Sequence, residues 1–381
     1  MADLRKKATK AYVSIIDRLR KVAVGNHLGQ MAAKGLRTVE EANGRPEIAK
    51  HIIGISKMAD ACIVSYPFPE NYPAEFRRKK AFEDRLVYNL QNVRVSPYSA
   101  MVWTPAGTLL EESTGTVRKI LTWANTGYEL LLPSKILNEP APIICLSTSY
   151  FYHFFWDYLP NLVILARRYP NLKVLTEPLD KQPDYAKSAF EMVLGSSWKS
   201  RMVEVESVVQ LPNVIMPQIE VYSGFIHPAL LAAMRSFFIP MAAKVSQGHE
   251  KIYVSRSRSP RRPIENEVAL EVVLKARGFH IIYLESMALL EQFAAFTHAK
   301  LVVAPHGAGL VYLGLTEAPP TLLEIYPAGY FNDCFARLAL QQGGRYDYAY
   351  CTPTDRKDTA GMVVIAYVLD KLERLEKSEL V

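Results

Sequence analysis

The sequence predicts an α/β protein whose C-terminal half is a parallel sheet with helices on both faces. Short β-branched runs recur at 251–254, 279–283, 301–304 and 321–325, and helical patterns at about 265–277, 287–298, 307–315 and 331–341 lie between them. Strands that alternate with helices at this spacing pair in parallel, because each helix carries the chain back to the start of the next strand. The chain of 381 residues exceeds an ordinary single domain, so two domains are expected. Pro212, Pro217 and Gly224 mark the region between them, and boundaries are expected near 40, 225 and 358.

The N-terminal half is less regular. Residues 4–24 place Leu4, Tyr12, Ile15, Ile16, Leu19 and Val22 opposite a basic face, the pattern of an amphipathic helix. Such an arm suits an anionic membrane surface, and it equally suits packing on its own protein or on a second copy in a homo-oligomer. Residues 50–145 read as mixed strands and loops. Beyond them, 152–168 and 185–194 read as helices, 172–175 as a strand, and 228–245 as a helix that Pro240 kinks.

Composition narrows the function classes. Hydrophobic residues are 49% and charged residues 22%, values of a globular chain and not of a disordered or fibrous one. The net charge of +7 suits phosphate-bearing ligands, anionic lipid or nucleic acid. Cys62, Cys145, Cys334 and Cys351 form no CxxC pair, so the expectation is reduced structural thiols and no metal site. No signal peptide is evident, and the longest apolar stretch, 229–243, is interrupted by Arg235 and Pro240, so no membrane span is expected.

Ligands of parallel sheets bind beyond the carboxyl ends of the strands. After the first strand comes Ser255-Arg256-Ser257-Arg258, followed by Arg261 and Arg262, whose guanidinium groups can fork onto phosphate oxygens. A solvated basic loop is the plain alternative. After the third strand, Pro305-His306-Gly307-Ala308-Gly309 lets backbone approach a ligand and offers the N–H groups of a following helix to a diphosphate. A tight strand-to-helix turn would also call for glycine. Glu324 lies in an apolar strand, where its carboxylate needs a partner; a ribose diol or a neighbouring arginine would serve. In the N-terminal half His153 and Asp157 are four apart on one helix face, a spacing that lets the carboxylate orient an imidazole base. Asp157 could itself be the base, with His153 positioning substrate, and the surrounding aromatics could simply be core.

These residues resemble the family 61 glycosyltransferases, which include plant xylosyltransferases, animal protein O-linked GlcNAc transferases and bacterial polysaccharide enzymes. His153, Asp157, Leu159 and Pro160 match H-x-x-x-D-x-L-P. Tyr253-Val254-Ser255-Arg256 with Arg262, Ile264, Asn266 and Glu267 matches a strand-and-NE segment. Glu291 with Gln292, and the turn from Pro305 to Gly309 with Glu324, complete the order. The resemblance spans about 140–330. It departs in the bulk of Phe154-Phe155-Trp156 and in showing no N-terminal anchor, which favours a bacterial-type, cytoplasmic setting, free or peripheral on the inner face of the membrane.

The resemblance implies a GT-B-like fold, two Rossmann-like domains facing a cleft. Residues 1–40 would then be the arm, 41–225 the acceptor-side domain, 226–358 the nucleotide-sugar donor domain, and 359–381 a C-terminal strand or helix packing back on the body. It further implies inverting transfer without an obligatory metal ion, from a UDP-linked sugar to a glycan hydroxyl in polysaccharide biosynthesis. His153 and Asp157 would be catalytic across the cleft. Ser255, Arg256, Arg262, Asn266, Glu267, His306, Gly307, Ala308, Gly309 and Glu324 would bind the donor, with Glu324 on the ribose. No cofactor beyond the nucleotide sugar and no nucleic-acid partner are expected. A nicotinamide dehydrogenase should show GxGxxG in its first β-α turn, and none is present. An RNA-binding protein and a non-catalytic sugar-binding module are the other rivals.

Overall fold

The structure, a computed structural model, describes residues 46–113, 134–219, 224–245, 248–259, 262–355 and 360–377. The expected arm at 1–40 and Arg261 lie outside these residues. The protein is mixed α/β with several sheets, one of them parallel and flanked by helices. It divides into two compact units: residues up to Asp60 with Asp84–Ser223, and Ala61–Glu83 with Gly224 onward.

The first unit holds β1 (Ile52–Ala59), β2 (Arg85–Leu90), β3 (Ile143–Cys145), β4 (Lys173–Thr176), β5 (Met202–Glu204) and β6 (Val214–Pro217), ordered β1-β2-β6-β3-β4-β5. The sheet is mixed and so departs from an all-parallel Rossmann-like one: β6, β3, β4 and β5 pair in parallel, while β1 and β2 join antiparallel. The physical reason is local. The parallel strands β3 and β4 are separated by a helical crossover, whereas β2 lies beside β1 with no helix to reverse the chain. A smaller four-stranded sheet, Val102–Trp103, Val93–Val95, Val209–Leu211 and Lys135–Ile136, completes the unit.

The helix expected at 152–168 runs from 151 to 168 with a π-helical turn, Phe154–Tyr158, between Phe151–His153 and α1 (Leu159–Arg168). The Leu159 N–H donates to the Phe154 carbonyl, five residues back. Pro160 follows, and its missing N–H removes a bond of the ordinary helical ladder just where the wider turn ends. Helix α2 (Asp184–Leu194) then leads toward β5.

The second unit is built on β7 (Lys251–Val254), β8 (His280–Ile282), β9 (Leu301–Pro305), β10 (Thr321–Tyr326) and β11 (Arg345–Tyr350). All its pairs are parallel, in the order β8-β7-β9-β10-β11. Its helices are α3 (Pro228–Ala242), α4 (Glu267–Ala276), α5 (Leu289–Thr297), α6 (Cys334–Gln341) and α7 (Ile365–Lys377). Every residue of β9 and β10 is buried, as parallel strands covered on both sides require. Leu270 and Leu274 of α4 and Val368, Leu372 and Leu375 of α7 pack on Tyr253, Val303, Leu323 and Ile325. Phe238 of α3, Phe293 of α5 and Tyr312 form a separate aromatic layer with ring centroids 4.9 and 5.4 Å apart. The helix expected at 307–315 is a 3-10 helix, Ala308–Leu315. Strand β11 was not anticipated, because its tyrosines alternate with Arg345 and Asp347 and carry no β-branched run.

Residues 61–83 pack on this unit through the antiparallel pair Cys62–Ser65 and Lys79–Phe82 and the ring of Phe76, which lies 4.9 Å from Phe331. Their anchor is Asp333. Its carboxylate accepts from the Arg77 backbone N–H at 2.9 Å and pairs with Arg337, whose guanidinium also reaches the Gly224 carbonyl at 2.6 Å. Asp333 and Arg337 are each only 2% exposed, so removing one leaves the other charge buried without its counter-ion. Asp333→Ala is therefore expected to cost about 3 kcal/mol or more of stability, read from the urea midpoint. Adding Arg337→Met to that variant should restore part of the loss.

Candidate active site

The order of the second unit's sheet places its switch point between β7 and β9. The chain leaves β7 toward β8 on one side and leaves β9 toward β10 on the other, and it is beyond the carboxyl ends at such a point that parallel sheets bind ligands. The residues that follow these two strands are Ser255-Arg256 and His306-Gly307. The structure brings them together. Gly307 is in ordinary extended backbone with φ 175°, so strain is not why glycine stands there. A Cβ at this position would overlap the Arg256 guanidinium, which lies against the Gly307 backbone. Gly309 meets a similar limit, because its Cβ would stand 2.6 Å from Leu284 Cδ1.

Burial lowers the Arg256 pKa, and the positive charge of Arg262 lowers it further. Arg262 thus adds a second positive charge to the field at Arg256, set against the carboxylates of Glu267 and Glu285. Arg262 is exposed, holds a left-handed φ of 50°, and sets its guanidinium 5.2 Å from the centre of the Tyr330 ring. Arg258 turns instead to the Tyr283 ring, 3.7 Å away.

The other expected donor-binding residues of this loop hold it in place. Glu267 is buried, and one of its oxygens accepts from the Arg256 backbone N–H at 2.7 Å and from the Tyr253 hydroxyl at 2.8 Å. Burial pushes its carboxyl pKa up. Asn266 exchanges two bonds with Val363, donating to its carbonyl at 2.8 Å and accepting from its N–H at 2.9 Å. Ser255 is buried and donates to Glu271 at 2.5 Å. Glu271, which sequence reasoning passed over, also receives the Tyr283 hydroxyl at 2.9 Å.

Glu324 was expected on a ribose or an arginine, and the structure gives it different partners. It is 0% exposed; one oxygen meets His306 Nδ1 at 2.6 Å and the other accepts from the Tyr346 hydroxyl at 3.0 Å. Its carboxylate is thereby satisfied inside the protein and orients His306, which also packs on Tyr326, Tyr330 and Phe335 at 5.0 to 5.3 Å. Neutral His306 that donates Nδ1–H to Glu324 carries its lone pair on Nε2; protonated, it offers that nitrogen as a donor. Glu291 and Gln292 are structural as well. Glu291 caps α5 through the Ala288 N–H at 2.8 Å, and Gln292 ties the Leu284 and Met287 carbonyls to the Tyr312 hydroxyl.

In the first unit His153 Nδ1 and Asp157 Oδ2 are 2.7 Å apart, as the spacing of four predicts. His153 is 31% exposed and Asp157 9%. From 154 to 163 every residue is buried except Asp157, so the bulk of Phe154, Phe155 and Trp156 is core and the carboxylate occupies the one opening in that stretch. Asn161 fixes the turn by donating to the Asp157 carbonyl at 2.7 Å. An Nδ1–H held by the carboxylate places the basic lone pair of the ring on Nε2.

Among the described residues no group of three or more His, Cys, Asp or Glu side chains converges as a metal site would require. None of the helices described is long and apolar enough to cross a membrane. A hollow of about 360 Å³ lined by His298, Lys300 and Glu317 lies at the opposite, amino end of β9 and β10.

A comparison with curated proteins returned no match. Residues 151–320 match the family model described as Glycosyltransferase 61, which covers both the His153–Asp157 turn and the Arg256–Gly307 contact and suggests glycosyltransferase activity.

Proposed function

We propose that the protein transfers a sugar from a nucleoside diphosphate donor, UDP-linked, to a hydroxyl of a glycan acceptor, with inversion and without an obligatory metal ion. The observation that carries the reading is Arg256 laid against Gly307 at the switch point, with Arg262 as a second positive charge beside it. These groups and the Ala308 and Gly309 N–H groups would hold the diphosphate, and Glu324 would act through His306 and not on the ribose. The family match supports glycosyl transfer, and a bacterial-type polysaccharide enzyme of the cytoplasmic side is the setting we infer.

In this mechanism His153, oriented by Asp157, accepts the proton of the acceptor hydroxyl on Nε2. The hydroxyl oxygen attacks the anomeric carbon from the side opposite the diphosphate. The new C–O bond forms as the bond to the diphosphate oxygen breaks, and the electron pair leaves with the nucleoside diphosphate. Negative charge that develops on that oxygen is stabilised by Arg256, Arg262 and His306, which are already in place before reaction.

His153→Ala and Asp157→Asn are each expected to lower turnover by about 10² to 10⁴, the usual contribution of a positioned general base, while UDP affinity stays near wild type. Measured donor affinity that collapses with turnover would contradict the division of roles. Gly307→Ala should do the reverse: displacing Arg256, it is expected to abolish thermal stabilisation by UDP while circular dichroism remains that of a folded protein. Transfer should persist in excess chelator; activity that disappears and returns with manganese would rule out the metal-independent mechanism. UDP-sugar binding with no turnover toward any glycan would favour a binding module.

A further inference from the structure

The loop after β10 carries an aromatic ring that neither the core nor the diphosphate site requires. Residues 327–330 form a turn in which the Tyr330 N–H donates to the Pro327 carbonyl at 3.2 Å. Gly329 has φ 70° with nothing near the position of a Cβ, so glycine is needed for backbone conformation alone. The turn delivers Tyr330 to the same carboxyl end of the sheet as Arg256 and His306, with 39% of its surface exposed. Its ring lies 5.0 Å from His306 and 5.2 Å from the Arg262 guanidinium carbon. An exposed flat ring thus adjoins two of the groups that would grip phosphate.

We propose that Tyr330 is the platform on which the nucleobase of the donor stacks. The inference rests on the reading of the β7 and β9 ends as a diphosphate site and adds to it the nucleoside end. In a nucleoside diphosphate only a ribose separates the base from the first phosphate, so the base must settle immediately beside the groups that hold the phosphates. Tyr330 is the exposed aromatic side chain in contact with both Arg262 and His306. Every base presents a planar π-face, and stacking on an aromatic side chain is tolerant of base identity. Tyr330 therefore supplies affinity for the nucleoside, and selection among bases falls to other groups.

The test is calorimetric titration of the full chain with UDP, UMP and inorganic pyrophosphate. Tyr330→Ala is expected to weaken UDP and UMP on the order of tenfold, the loss typical of one stacked base, and to leave pyrophosphate unchanged. Tyr330→Phe, which keeps the ring face, should stay within about twofold of wild type, as should Tyr350→Ala, a control at a comparably exposed tyrosine that contacts neither Arg262 nor His306. Equal losses for UDP and pyrophosphate would overturn the proposal in favour of a structural or phosphate-holding role. Unchanged UDP with weakened UDP-sugar would overturn it in favour of a platform for the transferred sugar. A wild-type protein that binds neither UDP nor pyrophosphate overturns the diphosphate reading itself, an outcome distinct from pyrophosphate binding that Tyr330→Ala leaves intact.

Discussion

The second unit depends on holding a partly buried guanidinium at the end of a parallel strand. Charge at such a place is costly to desolvate, and the lowered Arg256 pKa expresses that cost. Three features keep it there. Gly307 offers bare backbone for the guanidinium to lie against, Glu267 holds the Arg256 N–H, and Asn266 locks the start of α4 to Val363. The positive charge of Arg262 adds to that cost, and the carboxylates of Glu267 and Glu285 offset part of it. Positive charge from Arg256 and Arg262 thus gathers beyond the carboxyl end of β7.

The same logic explains why so many motif residues prove to be supports. Glu324, Glu267 and Glu271 each accept from a tyrosine or histidine within the unit, so they orient those neighbours. A buried carboxylate with fixed donors is a rigid reference point. Through it, β10 sets the ring plane of His306 and β7 sets the loop that carries Arg256. The strand ends then act as one frame that fixes His306 and the Arg256 loop relative to each other.

Much of this was legible in the residues. The alternation of β-branched runs with amphipathic stretches places β7 to β10 within a residue or two of their observed limits, because strands buried on both faces leave an unbroken apolar signature. Strand β11 escapes because its two buried residues are Tyr346 and Ala349 and not a β-branched run; the Tyr346 hydroxyl serves both Glu324 and Tyr326. The partners of Glu324 were not legible for a related reason. A lone carboxylate in an apolar strand announces that it needs a donor, but the donors come from His306 and Tyr346, 18 residues earlier and 22 later, brought together only by the register of β9, β10 and β11. Residues 61–83 were assigned by position along the chain, and their anchor on Asp333 lies 256 residues away from Arg77.

The first unit shows what the aromatic insertion beside His153 does. In a regular helix, three bulky neighbours in succession spread over more than half the circumference, and burying all of them buries the polar face as well. The π turn changes the balance. With one more residue per turn, Phe154, Phe155, Trp156 and Tyr158 all enter the core, while Asp157 alone stays at the surface opening. Its carboxylate is then fixed by the fold on one side and by His153 on the other, at 2.7 Å. The bulk of Phe154, Phe155 and Trp156 therefore leaves the histidine and aspartate in register, with the half-buried imidazole beside a carboxylate that the buried turn holds in place.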